Sequence, residues 1–219
     1  MRYISVLLVC TVISLSVFAK SGVVKDQARL NSRLMVAVKK GHTPRVKELL
    51  NKGADANSAN EKGQSVLMIA SWWGYEDIAK LLLSRGAKVN AADKQQKTAL
   101  HYTMSFGRLF VMLALLKAGA DINARDNGNR TPVWWGAQMG HRNMVKFIIK
   151  KGADFDSADK YGMTPLMVAT INRDRRLVKV LVDAGANGRL KDKQGRTALS
   201  WATGMGLSRE IVTLLRENS

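Results

Sequence analysis

Apolar residues along this chain recur in short segments at the spacing of helices that are buried on one side. Ile78 and Leu82 fall on one helical face, and Met144, Val145 and Ile148 do so in a later segment. Intervals of three and four residues between apolar side chains predict amphipathic helices. A shorter apolar segment that begins at Ser or Thr precedes each of them. The pattern therefore predicts an all-α chain built from pairs of short helices.

The helix pairs recur at a fixed interval. Thr164-Pro165-Leu166 begins one short segment, with Thr131-Pro132-Val133 lying 33 residues earlier and Thr197-Ala198-Leu199 lying 33 residues later. Further steps of this length reach Thr98, Ser65 and Ser32. A strict period of this length indicates an array of similar small units.

A turn precedes each short helix. Five residues before the Ser or Thr stands an Asn or Asp, at Asn60, Asp93, Asp126, Asp159 and Asp192. Such side chains bond their own backbone in turns, and a glycine two residues before the Thr, as at Gly162, permits a left-handed backbone. Gln96 replaces that glycine in the third unit, and the fourth unit moves it to Gly128. We expect these two turns to be less regular.

Both helices of a unit have recognisable ends. The Ser or Thr hydroxyl can accept a hydrogen bond from the first helical turn, and Pro132 and Pro165 occupy the first helical position. A glycine nine residues after the cap ends the first helix in every unit but the fifth, where Asn172 or Arg173 must adopt the left-handed conformation. Gly-Ala pairs end the second helix at residues 53, 86, 119, 152 and 185.

This pattern resembles the ankyrin repeat from about residue 27 to the C-terminus. The family's Thr-Pro-Leu-His-x-Ala and Gly-Ala-Asp-x-Asn motifs are both present, and residues 119–123 match the second in full. Only His101 keeps the signature histidine; Trp134, Met167 and Ser200 replace it, which we expect to weaken single hydrogen bonds between repeats. The resemblance implies an ankyrin-repeat solenoid of about six stacked helix-turn-helix units joined by β-turn fingers, with atypical end units. The units span about residues 27–59, 60–92, 93–125, 126–158, 159–191 and 192–219.

The first nineteen residues differ from the array. Arg2 supplies a positive end, residues 4–18 are almost uncharged and apolar, and Ala19 suits a signal-peptidase site. We interpret residues 1–19 as a signal peptide and 20–26 as a linker. The apolar run would form a helix of roughly 22 Å, short of the ~30 Å bilayer core, so an uncleaved inner-membrane anchor is the alternative. The single cysteine, Cys10, lies in this segment, so the cleaved protein would have no disulfide.

The formal net charge of +18 is a statement about partners rather than about fold. It favours a protein partner with an acidic surface, or an anionic polymer or membrane surface, such as nucleic acid, lipid or glycan. An exported location argues against nucleic acid, and the chain has no separate basic tail or groove-reading motif. A membrane contact is expected only if the N-terminal segment is not cleaved.

The resemblance also assigns a binding face. In ankyrin-repeat proteins the turn tips and the exposed end of the first helix form a concave surface. On the tips this selects Lys62, Lys94, Lys97, Arg130, Lys160, Tyr161, Met163, Lys193 and Arg196. On the first helices it selects Lys39, Lys40, Trp72, Trp73, Phe106, Met139 and Met205. A basic rim around aromatic and Met side chains is typical of an interface. Val36, Tyr102, Trp135 and Trp201, four residues after the cap, are predicted to be core.

No residue pattern points to a catalytic, cofactor or metal site. His42 and His141 follow the helix-ending glycines, and none of the three histidines has a Cys, Asp or Glu partner at metal-ligand spacing. The aspartates recur because the turns recur, and no nucleophile elbow or Gly-rich phosphate loop occurs. Residues 173–176, Arg-Asp-Arg-Arg, are a secondary candidate for an anion site.

These observations predict a monomeric, non-enzymatic protein–protein interaction scaffold that binds an acidic protein through its concave face. The leader, the small array and the lack of disulfides suggest a bacterial periplasmic or secreted protein. Two alternatives remain: binding of an anionic polymer or membrane surface, and a secreted effector that acts on a host protein.

Overall fold

The computed structural model describes residues 26–217, and the predicted signal peptide with Cys10 lies outside this range. The helices are α1 26–39, α2 Thr43–Asn51, α3 Val66–Trp73, α4 Glu76–Ser84, α5 Ala99–Phe106, α6 Leu109–Lys117, α7 Pro132–Gln138, α8 Arg142–Lys150, α9 Pro165–Ile171, α10 Arg175–Asp183, α11 Ala198–Gly204 and α12 Arg209–Arg216. Between residues 26 and 217 the only extended pairing is an isolated bridge between Ala59 and Ser65. The predicted all-α solenoid is confirmed.

The helices form two layers. α3, α5, α7, α9 and α11 pack side by side as an inner layer, and each packs against the outer helix of its own unit. The apolar stripes of both layers meet between them, where Leu67, Leu82, Leu100 and Leu115 are fully buried. Because each unit covers only one side of its neighbour, the core is continuous along the whole stack.

Side-chain hydrogen bonds fix the ends of the elements. The Thr131 hydroxyl accepts from the Trp134 N–H at 3.2 Å, as the sequence predicts for a helix cap. At the exit of the second unit, the Asn90 side chain accepts from the Asp121 N–H at 2.7 Å and donates to the Gly119 carbonyl at 3.1 Å. The Asn that ends the exit motif thus ties each of the first three units to the next, and Asp156 accepts from the Asn187 N–H in the fourth.

The turns before the inner helices, which we call fingers, are bonded into a row. Lys94 N–H donates to the Lys62 carbonyl at 3.1 Å, and Lys160 N–H donates to the Gly128 carbonyl at 2.8 Å. One further bond joins Lys193 N–H to the carbonyl of Tyr161 at 3.0 Å. The fingers are therefore held at a fixed spacing beside the inner layer.

The expectation of two less regular fingers is wrong. Gln96 and Asn129 adopt the left-handed backbone, with φ of 59° and 60°, in the positions where Gly162 has 81°. In the third finger the Asp93 carboxylate accepts from two backbone N–H groups, as Asp159 does in the fifth. These hydrogen bonds to the Asp outweigh the cost of the left-handed conformation. In the fourth unit Asn129, and not Gly128, has the left-handed backbone. In the fifth unit Arg173 does so, with φ of 57°.

The first unit and one signature position also differ from expectation. Ser32, which the period equates with the caps, lies inside α1, because that helix already begins at residue 26. Trp134 replaces the signature histidine without losing the bond between repeats. Its indole N–H donates to the Met163 carbonyl at 3.1 Å, just as His101 Nε2 bonds the Arg130 carbonyl at 3.1 Å.

None of the helices within residues 26–217 is long and apolar enough to cross a membrane.

Candidate binding groove between the fingers and the inner helices

Two adjoining hollows lie between the fingers and the inner helices. The N-terminal groove, of about 810 Å³, is bounded by α1, the second finger and the end of α3. The central groove, of about 900 Å³, is bounded by the second and third fingers and the ends of α3, α5 and α7. Both are lined by Lys62, Gln64 and Trp72, so they form one continuous concave depression.

A stack of aromatic rings forms the floor of this depression. The Trp72 ring lies 5.1 Å from the Phe106 ring and 5.8 Å from the Tyr102 ring, with interplanar angles of 18° and 16°. Trp73 stacks on the other side at 6.4 Å. Trp72 is half-buried, whereas Trp73 and Phe106 are 50% and 41% exposed. Stacking holds these rings rigid, so little conformational entropy remains to be lost when a partner covers them.

Buried carboxylates join the fingers to aromatic side chains on the inner helices. The Asp126 carboxylate, which closes its own turn, also accepts the Trp135 indole N–H at 3.0 Å. Asp192 and Trp201 repeat this bond at 3.0 Å. In the third unit the Tyr102 hydroxyl donates to Asp93 at 2.7 Å. These aromatic residues therefore brace the finger against the helix.

Cations cover the same aromatic rings. Arg130 pairs with Asp126 at 3.0 Å and lies 4.4 Å from the centre of the Trp135 ring, which Lys97 also contacts at 4.2 Å. Arg196 likewise pairs with Asp192. These three cations are thus partly engaged within the protein, although each remains half-exposed.

Burial changes the acidity of groups in this region. It opposes ionisation of Asp126, but hydrogen bonds from the Arg130 N–H and the Trp135 indole N–H outweigh that effect and hold the pKa of Asp126 below its usual value. Burial, followed by the charge of Arg130, lowers the pKa of Lys97. Burial and the bond to Asp93 raise the pKa of Tyr102 to about 12.

The structure brings half of the sixteen predicted binding residues to the depression. The two grooves are lined by Lys39, Lys62, Trp72, Trp73, Lys94, Lys97, Phe106 and Met139. A third, smaller hollow at the finger tips is lined by Arg130, Lys160 and Tyr161. The remaining predicted residues, Lys40, Met163, Lys193, Arg196 and Met205, do not line these hollows, and Met163 packs against the core.

Three residues that were predicted to be core are not fully buried: Val36 and Trp135 line the depression, Trp201 does not, and both tryptophans still pack against the core. Val36 is 49% exposed and lines the N-terminal groove, because residues 27–31, which the register equates with a finger, belong to α1. Trp135 and Trp201 are half-buried beside their fingers, and only Tyr102 is buried as predicted. A sequence signal for these contacts exists. An Asp is followed by Lys or Arg at the fourth position after it and by an aromatic residue at the ninth position after it.

The histidines and basic clusters form no chemical site. His101 is fully buried, and its Nδ1 faces the N–H and hydroxyl of Thr98, so it serves the helix cap as predicted. Among residues 26–217 no group of side chains could hold a metal ion. In the secondary anion candidate, Asp174 pairs with Arg142 at 2.7 Å and Arg175 pairs with Glu210 at 2.9 Å, so the cluster is partly neutralised.

Comparison with known proteins agrees with this architecture. The model of the family described as ankyrin repeats (3 copies) matches residues 12–93, 90–159 and 137–219. A search of curated proteins finds no match. Since the matched segments cover nearly the whole sequence, and the described residues form paired helices with fingers, the chain belongs to the ankyrin-repeat family.

Proposed function

We propose that this protein is an exported, non-enzymatic scaffold that binds an acidic protein partner in the concave depression. Ankyrin repeats generally mediate protein–protein interaction, and this provides the general function. The observation that carries the specific proposal is the aromatic stack of Trp73, Trp72 and Phe106 on the floor of a lysine-walled groove.

The stack has the properties of an interface centre. Trp73, Phe106 and Met139 are 50%, 41% and 47% exposed, yet they lie within a hollow rather than on a flat surface. Large aromatic and Met side chains in pockets contribute most of the binding energy in protein interfaces.

The charge of the walls selects the partner. The ammonium groups of Lys39, Lys62 and Lys94 form no ion pair within residues 26–217. Against them the two grooves have one exposed carboxylate, Glu61, since that of Asp93 is buried and hydrogen-bonded. An acidic surface would therefore meet free cations at the rim. Such complementarity raises the association rate and excludes basic competitors.

The family context and the internal roles of the polar side chains support a non-enzymatic protein. His101 is engaged in a cap and in a bond between units, and Asp93, Asp126 and Asp192 are engaged in the fingers. These groups are therefore engaged in holding the fold.

The export part of the proposal rests on the apolar leader of residues 4–18. Fractionation of cells that express a C-terminally tagged chain distinguishes a periplasmic or secreted protein from one retained in the inner membrane. A secreted effector would appear in the medium or in a host cell.

Capture from the native compartment tests the binding proposal. The full chain carrying Trp73→Ala, Phe106→Ala and Met139→Ala is compared with wild type and with a control variant, Phe110→Ala with Leu113→Ala, which removes apolar residues outside the groove. We expect the groove variant to lose the partner while its helical circular dichroism is unchanged, and capture to weaken in high salt. Equal capture by all three proteins would disprove the assignment of the groove.

A further inference from the structure

The outer surface of the array carries a second unusual patch, on α6. Phe110 and Leu113 are 65% and 36% exposed. The 33-residue register equates Phe110 with Asp77 and Asn143 in the neighbouring units, and Leu113 with Lys80 and Lys146. The third unit thus places two apolar side chains where its neighbours have polar or charged ones.

Positive charge is concentrated on the helices that follow. α6, α8 and α10 together contain seven Lys or Arg and one Asp, whereas α4, on the other side of α6, contains two acidic residues and one Lys. Because the three helices have equal length and strict spacing, their outer positions form rows across the surface. One row is Phe110, Asn143 and Arg176, and the next is Leu113, Lys146 and Lys179.

The three helices share one surface depression. A hollow of about 530 Å³ is lined by Leu109 from α6, Lys146 from α8 and Arg176 from α10. Within the described residues, neither Lys146 nor Arg176 forms an ion pair. Two cations without an ion pair therefore border a largely polar hollow, which reaches Leu109, the residue next to the exposed Phe110.

From these observations we infer that the outer face of α6, α8 and α10 docks on an anionic lipid bilayer. Phe110 and Leu113 enter the headgroup region, and Lys146, Arg176 and the neighbouring cations contact lipid phosphates. Lys with Phe and Leu is the composition of membrane-surface elements. This face lies on the opposite layer from the concave depression, so a bilayer and a protein partner can be bound together.

Hydrogen exchange of the full chain with lipid vesicles tests this inference. Vesicles of phosphatidylcholine with phosphatidylglycerol are compared with phosphatidylcholine alone. Since the apolar residues 4–18 also partition into vesicles, protection is read peptide by peptide. We expect anionic vesicles to protect α6 and α8 and to leave the fingers unchanged.

Two variants separate the contributions. Lys146→Gln with Arg176→Gln should raise the lipid concentration needed for half-maximal protection of these helices by about 30-fold, since each cation near an anionic surface contributes about a factor of five to the affinity. The control Lys47→Gln with Arg209→Gln removes the same charge at the same register positions in the end units and should have no effect. Phe110→Asn with Leu113→Lys gives α6 the residues that α8 has at these two register positions. It should raise the lipid concentration needed for half-maximal protection by about tenfold, although it adds a positive charge.

The opposite results overturn the inference. If anionic vesicles leave α6 and α8 unprotected, the face does not bind lipid, and an acidic protein becomes the candidate occupant. If both charge variants lose protection equally, the attraction is a property of the whole chain. If Phe110→Asn with Leu113→Lys is protected as well as wild type, the apolar pair plays no part.

Discussion

At the scale of single residues, a buried carboxylate organises the fingers of the third, fourth and sixth units, at Asp93, Asp126 and Asp192. The corresponding Asp159 of the fifth unit is half-buried. Asp126 accepts from two backbone N–H groups, from the Trp135 indole and from Arg130. A charged group that accepts several donors tolerates burial, and removal of any one donor costs about 1–3 kcal/mol. The side chains that shape the groove are therefore also those that hold the fingers in place.

His101 gives this stability a pH dependence. Burial lowers its pKa, although the bond to the Arg130 carbonyl opposes the effect. The unfolded chain therefore binds a proton at higher pH than the folded chain does. The stabilisation is complete above the ordinary histidine pKa of about 6.5 and is lost as the pH falls below it, by up to about 1.4 kcal/mol per pH unit.

Urea unfolding between pH 7.5 and 5 measures this effect, with His101→Gln as the comparison because glutamine does not titrate. We expect the wild type to lose stability over this range more steeply than the variant. Carboxylates with a lowered pKa, such as Asp126, titrate only in more acidic solution and do not contribute in this range. Parallel curves for the two proteins would therefore show that His101 is not the titrating group.

At the scale of elements, the spacing of the fingers depends on close backbone contact. A Cβ at Gly162 would lie 2.9 Å from Asp192 Cα in the next finger, whereas a Cβ at Gly195, in the last finger, would meet nothing within 4 Å. Both glycines are left-handed, with φ of 81° and 77°. The pair therefore separates the cost of the backbone conformation from the cost of finger packing.

We expect Gly195→Ala to lower the free energy of unfolding by about 1–2 kcal/mol through the left-handed conformation alone. Gly162→Ala should cost about 1–3 kcal/mol more, because the next finger must move. Chemical denaturation of both variants checks this difference. Equal losses would mean that the fingers are not packed as described.

The sequence predicted the helices and caps well because their signals are local. The 33-residue period placed ten helices, α3 to α12, within a few residues, but it misassigned Ser32, because spacing alone cannot show that a helix has already begun. The sequence also repeats the Asp, Lys or Arg, and aromatic residues of the braces, but the repeat alone did not show that Arg130 binds Asp126 and Trp135. Such contacts between finger and helix depend on packing, so Trp135 was predicted to be core although it supports the groove.

At the scale of the whole molecule, burial of the inner helices is lowest in the sixth unit. On α11 only Ala198 and Ala202 are buried, whereas six of the eight residues of α5 are buried. Since each unit gains its stability from its neighbours, the sixth unit should open before the third. Native-state hydrogen exchange should be faster in α11 and α12 than in α5 and α6. Uniform exchange would indicate a single cooperative unit.

The proposed function places the partner on the aromatic floor of the concave depression. A photo-activatable phenylalanine analogue placed at Trp73, and separately at Phe110, tests this in the native cell, because both positions are at least half exposed and lie on opposite layers. We predict a protein adduct from position 73 and no protein adduct from position 110. A protein adduct from position 110 with none from position 73 would contradict the account.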